Sequence, residues 1–148
     1  MTAPYRSKTL ATWIALVGGG LGLHRFYLHG PKDAWGWLHP LPFVLGLWGV
    51  RRAQLLGQDD GLSWLLIPLL GLVLAQAMLA AIVYGLTPDE RWDARHNAGA
   101  RRTRSGWGAV LGVVLALFLG SGVLMATLAF GAQRFFEWQI EEAHRISR

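Results

Sequence analysis

Gly22-Leu23-His24-Arg25-Phe26-Tyr27-Leu28 is a polar knot wedged between two apolar runs. To its left, Leu10 to Leu23 carries no charge; to its right, beyond Pro31-Lys32-Asp33, neither does Ala34 to Val50. An arginine at the centre of a bilayer costs about 2.5–3.5 kcal/mol even on the lenient insertion scale. At headgroup depth that cost falls away, Phe26 and Tyr27 suit the interface, and the long Arg25 side chain can reach phosphates. Three readings follow. The knot is an interfacial anchor at the tip of a hairpin, or a recognition element, or the seat of a pH-sensing or catalytic histidine. In the second, His24, Arg25, Phe26 and Tyr27 contact a partner or an anionic lipid headgroup.

Composition places the knot in a membrane protein. Of the 148 residues, 53% are hydrophobic and 16% charged, against about 25% charged in soluble domains. Nineteen glycines and eight tryptophans point the same way, since spans enrich Gly and interfaces enrich Trp. The absence of cysteine excludes disulfides, thiolate chemistry and cysteine metal sites. A net charge of +5 carried almost entirely by arginine fits anionic lipid better than nucleic acid. The arginine bias suggests a GC-rich bacterial genome and therefore the bacterial cytoplasmic (inner) membrane.

The knot resembles the core of the TM-two domain family, a short two-span hairpin. There a basic lead-in precedes a span whose glycine-rich end runs into His-Arg-Phe-Tyr-Leu-Gly. Arg6, Ser7 and Lys8 match the lead-in, Gly18 to Gly22 the glycine stretch, His24 to Leu28 the core and Gly36 a later glycine. The sequence departs from the pattern at His29, where the family usually has Gly, and at His39-Pro40-Leu41-Pro42. It also lacks the acidic residue that many members carry in the second span. The resemblance covers about residues 6–55. It implies a membrane hairpin and little chemistry, because the family has no common activity.

The expected fold is all-α and polytopic, with about four transmembrane helices in two hairpins: a first hairpin over 1–56, and a second with a basic loop and an amphipathic tail over 57–148. The first span is Thr9–Leu23, reaching toward Leu28 and retained rather than cleaved as a signal peptide, since no small-x-small site follows it. Gly18 and Gly22 read as a small-xxx-small packing pair. The second span, Ala34–Val50, should be kinked or frayed by Pro40 and Pro42. The third, Leu62–Leu86, carries Ala77, Ala81 and Gly85 on one side, with Gln76 placed for an interhelical hydrogen bond. Thr87-Pro88-Asp89-Glu90 reads as a helix start, with Thr87 as N-cap and the helix ending near His96. The fourth span, Gly106–Gly131, repeats Gly108, Gly112, Ala116 and Gly120 along one packing face. Gln133–Arg148 follows as an amphipathic helix on the membrane or on a partner.

Between the second hairpin's spans, Arg95, Arg101, Arg102 and Arg104 form a basic juxtamembrane cluster suited to anionic headgroups. Glu90, Asp93 and His96 share a spacing of three, yet one exposed helical turn without further ligands makes a poor metal site. Acidic residues there already complement the helix dipole. Four straight spans divide the basic residues seven against seven, so the positive-inside rule gives no orientation. The dense 87–106 loop leans toward the cytoplasm. A three-span alternative, in which the proline-bearing second segment fails to cross, remains open.

No nucleophile constellation, phosphate-binding loop or intramembrane carboxylate pair is present. The expectation is a non-enzymatic membrane component without cofactor or metal. It would be a scaffold, assembly factor or regulator contacting anionic lipid and another membrane protein or further copies of itself, but no nucleic acid. The alternative is a small transport protein or oligomeric pore built through the glycine faces. A membrane enzyme using His24, His29 or His39 ranks third.

Overall fold

In a computed structural model, which describes residues 5–99 and 102–147, all regular structure is helical. Ser7 starts the first helix: its backbone is extended, its side chain accepts from Leu10 N–H, and α1 runs Lys8–Gly18. The chain then reverses. Gly19–Leu21 tighten into a 3-10 turn, Gly22 takes a φ of 75°, and α2 (Leu23–His29) returns alongside α1. One distance proves the reversal. Ser7 N–H donates to Tyr27 Oη at 2.8 Å, whereas a continuous helix would hold residues 7 and 27 about 30 Å apart. Leu28 comes back against Ala11 and Trp92.

The first apolar run, expected as one helix, is therefore a pair of helices folded back on each other. Gly18 and Gly22 flank its turn instead of sharing one helix face. The cause lies in Gly22, because a Cβ there would stand 2.5 Å from the Gly36 carbonyl oxygen as well as straining the backbone.

The next segment runs from end to end of the bundle in two pieces, α3 (Ala34–Leu38) and α4 (Pro40–Leu56), interrupted at His39. Pro40 and Pro42 lack N–H donors, so the break falls where a helix loses least, at its first turn. α4 lies against α5 (Gly61–Leu86). The two backbones approach closely at Gly49, where a Cβ would meet Leu66 Cβ at 2.5 Å. Arg52 closes the link between them on both oxygens of Asp60, at 2.9 and 2.7 Å, and Asp60 also caps α5. Gln76 makes its expected interhelical bond, 3.0 Å from His39 Nε2.

After α6 (Asp89–His96) comes α7, Trp107–Ile146, a single 40-residue helix. The amphipathic tail expected as a separate element is the far end of α7. No proline interrupts it, and Gln133 and Arg134 both bond Glu137 one turn on. α7 runs antiparallel to α5, with Gly120 against Met78, and Arg134 over the Trp64 ring at 4.9 Å. About 60 Å of helix against about 39 Å for α5 leaves the end of α7 projecting past the bundle.

α1 packs into the groove between α5 and α7. The core there packs three alanines, Ala15, Ala81 and Ala116, around Met78. It ties α1 to α5 and α7. Outside, Leu65, Leu79, Leu86, Phe118 and Met125 are more than half exposed. Such a surface belongs in hydrocarbon, and Gly61–Leu86 and Trp107–Ile146 are both long and apolar enough to cross a membrane.

Candidate functional site

Folding the knot back against α1 brings its side chains inward. His24 is 1% exposed, with ring centroids 5.5 Å from His39 and 5.8 Å from Tyr84, and its Nδ1 has no hydrogen-bond partner among the described residues. Arg25 does not reach freely outward. Its Nε and Nη2 donate to Asp33 at 2.6 and 3.2 Å, and that hydrogen bond holds the Asp33 carboxyl below its usual range. Phe26 lies edge-on to Trp37 at 5.2 Å and covers Gly36, where no side chain would fit. The Tyr27 hydroxyl accepts from Ser7, and Arg6 stands over its ring. Tyr27 thus ties the hairpin to its own lead-in, while His24, Arg25 and Phe26 tie it to the segment that follows and to α5.

The same end of the bundle carries a polar cap that local sequence patterns did not disclose. Lys8, 3% exposed, donates to Asp89 at 2.6 Å and to the Thr87 carbonyl at 2.8 Å. Asp89 also accepts from Ser105 N–H and hydroxyl. Burial works to raise the Asp89 carboxyl, but donation from Lys8 and Ser105 outweighs it and lowers its pKa to about 2. Trp92 and Asn97, both buried, reach the Arg6 carbonyl at 2.9 and 3.2 Å. Asn97 Oδ1 in turn accepts from Arg6 N–H at 2.8 Å. Asp93 accepts from the Thr103 hydroxyl at 2.5 Å, from Asn97 Nδ2 at 3.0 Å and from Thr103 N–H at 2.8 Å, and these bonds lower its pKa. Asp93, one of the three residues weighed as metal ligands, is thereby engaged within the cap.

Thr87 does not cap α6. Its hydroxyl donates back to the Val83 carbonyl at 2.6 Å, and Pro88 stands at the cap position. The helix start is instead held by Asp89, through Lys8. The signal available in sequence was the pairing of a lead-in lysine with an acid in a helical first turn, but the partners lie 81 residues apart.

Around this cap the arginines face outward. Arg91, Arg95, Arg102 and Arg104 are exposed, and none makes an ion pair among the described residues. Arg101 lies outside the described residues. The knot and the basic loop are brought to one end of the molecule, joined through Arg6, Ser7 and Lys8. The glycine faces turn elsewhere. Gly108 and Gly112 receive Thr9 and Thr12 of α1, Gly120 receives Met78, and Gly85 faces Val113. Ala77, Ala81 and Ala116 are fully buried between the same three helices.

Two long apolar helices wrapped around a glycine-turned hairpin define a small helical membrane protein. Residues 4–52 match the family profile of the TM2 domain, which takes in the lead-in, the glycine turn, the knot and most of α4. Comparison with curated proteins and with solved structures gives no match.

Proposed function

We propose that this chain is a non-enzymatic membrane component, a scaffold or assembly partner that presents a rigid basic cap to the cytoplasmic membrane surface. The observation that carries the reading is the division of labour at the cap. The motif residues and Lys8 are consumed in holding it together, while the loop arginines are left facing out. An ordered cationic surface beside exposed apolar helices suits anionic headgroups and the acidic face of a neighbouring membrane protein.

The folded-back hairpin supports one orientation. With α1 and α2 on one side, three segments cross: α3 with α4, then α5, then α7. Arg6, Lys8, Arg25, Lys32, Arg91, Arg95, Arg101, Arg102 and Arg104 then share the cap side, and Arg51, Arg52, Arg134, Arg145 and Arg148 the other. Nine basic residues against five replaces the tie of four straight spans, and the positive-inside rule puts the cap in the cytoplasm. The pore alternative gains no support, since the glycine stripe it would use to assemble copies is filled by α1 and α5.

Photo-crosslinkers placed at Arg102 and Arg104 in living cells test the reading. Adducts with anionic lipid or a membrane protein are expected there. Adducts found only from Asp59 and Ser147, at the opposite end, would overturn it.

A further inference from the structure

The cap is not uniformly polar. Where the end of α5 meets α6, a groove of about 760 Å³ opens on the outer flank of the bundle. Its lower wall is apolar and outward-facing: Val83 is 53% and Leu86 67% exposed. Its upper wall carries Arg91 and Arg95, four residues apart on α6 and therefore on one face of that helix. Both are exposed, and neither is engaged by a carboxylate among the described residues.

The groove does not depend on an occupant for its shape. The α6 helix is fastened to the lead-in by Trp92 Nε1 on the Arg6 carbonyl at 2.9 Å, and by Asn97 just beyond the helix. Trp92 also lies tilted against His96 at 4.5 Å and edge-on to Tyr84 at 5.8 Å. Two guanidinium groups are thus presented by a pinned helix directly above an apolar wall at the end of a membrane-crossing segment.

We infer that this groove binds one anionic phospholipid, its phosphate held by Arg91 and Arg95 and its acyl chains laid along Val83 and Leu86. Two arginines supply forked donors for a phosphate. The apolar wall selects a lipid over a free anion, because an anion alone would leave Val83 and Leu86 uncovered. This deepens the proposal of a cationic cap and rests on it. It differs in requiring one shaped site of one-to-one stoichiometry, where a charged surface requires only density of charge.

Native mass spectrometry of the full chain in mild detergent, titrated with phosphatidylglycerol or phosphatidylcholine, tests the assignment. One retained phosphatidylglycerol is expected, with phosphatidylcholine displaced. Arg91→Gln with Arg95→Gln should lower retention about tenfold or more. Val83→Trp or Leu86→Trp, each at an exposed position that tolerates bulk, should lower it equally without changing charge. Equal retention of both lipids would overturn the inference, as would retention unaffected by the arginine pair or by the tryptophans. Competition by glycerol phosphate as strong as by the intact lipid would overturn it too, in favour of a free-anion site. Arg102→Gln with Arg104→Gln separates the two readings: that variant should keep the single lipid while losing the broader surface contacts. A lipid that persists when the crosslinking of Arg102 and Arg104 fails leaves the groove standing without the scaffold.

Discussion

Lys8 shows how a residue's role escapes its local context. Next to an uncharged run, a lysine reads as a flank that meets headgroups, yet here it is buried and holds Asp89 and the Thr87 carbonyl. Asp89 was legible only as a first-turn acid favoured by the helix dipole. Its measurable consequence is acid sensitivity. The carboxyl titrates near 2 in the folded protein against an ordinary value of 3.8. Its contribution to stability is therefore fully present above about pH 4 and lost as pH falls toward 2. Thermal unfolding of the purified protein between pH 5 and pH 2.5 should show a falling transition temperature. Asp89→Asn should unfold lower than wild type at pH 5, with the gap narrowing as the pH drops. A gap independent of pH would contradict the ion pair. His24, Arg25, Phe26 and Tyr27 were legible as a special site, but their direction was not. Pattern and charge cannot tell that Asp33, eight residues on, faces Arg25.

At the scale of elements, what the sequence disclosed tracks local chemistry. Pro40 and Pro42 announce the break between α3 and α4, and the small residues of α5 and α7 announce close packing. The reversal after α1 was hidden because an uncharged apolar run looks the same whether it crosses or turns back. Its glycines fit a packing pair as well as a turn. The turn makes its own prediction. Gly22 has a positive φ and no room for a Cβ, so Gly22→Ala should cost at least about 1–2 kcal/mol of stability. Gly122→Ala, in open space on the same protein's α7, should be neutral or mildly stabilising. Both are read from unfolding in detergent, and a Gly22→Ala protein as stable as wild type would contradict the left-handed turn. The continuity of α7 into its tail is hidden for a related reason. Amphipathic periodicity marks a helix but does not mark whether it begins anew or continues one already running.

For the whole molecule, the number of crossings decides which surface meets which compartment. Four straight spans would put Arg6 and Lys8 opposite the knot and the 87–106 loop. The folded-back hairpin puts all of them together, as the contacts of Lys8 with Asp89 and of Ser7 with Tyr27 require. Apolar length alone carried the four-span expectation, and only contacts between residues distant in the chain reveal that α1 and α2 fold back on each other. Because the chain has no native cysteine, single cysteines at Tyr5, Lys32, Asp59, Ala98 and Ser147 report sidedness cleanly in intact cells. The decisive position is Tyr5. The account predicts that Tyr5, Lys32 and Ala98 are all protected from an impermeant thiol reagent while Asp59 and Ser147 label. Tyr5 labelling together with Asp59, while Lys32 stays protected, would mean that the first segment crosses, and would contradict the re-entrant hairpin on which the cap depends.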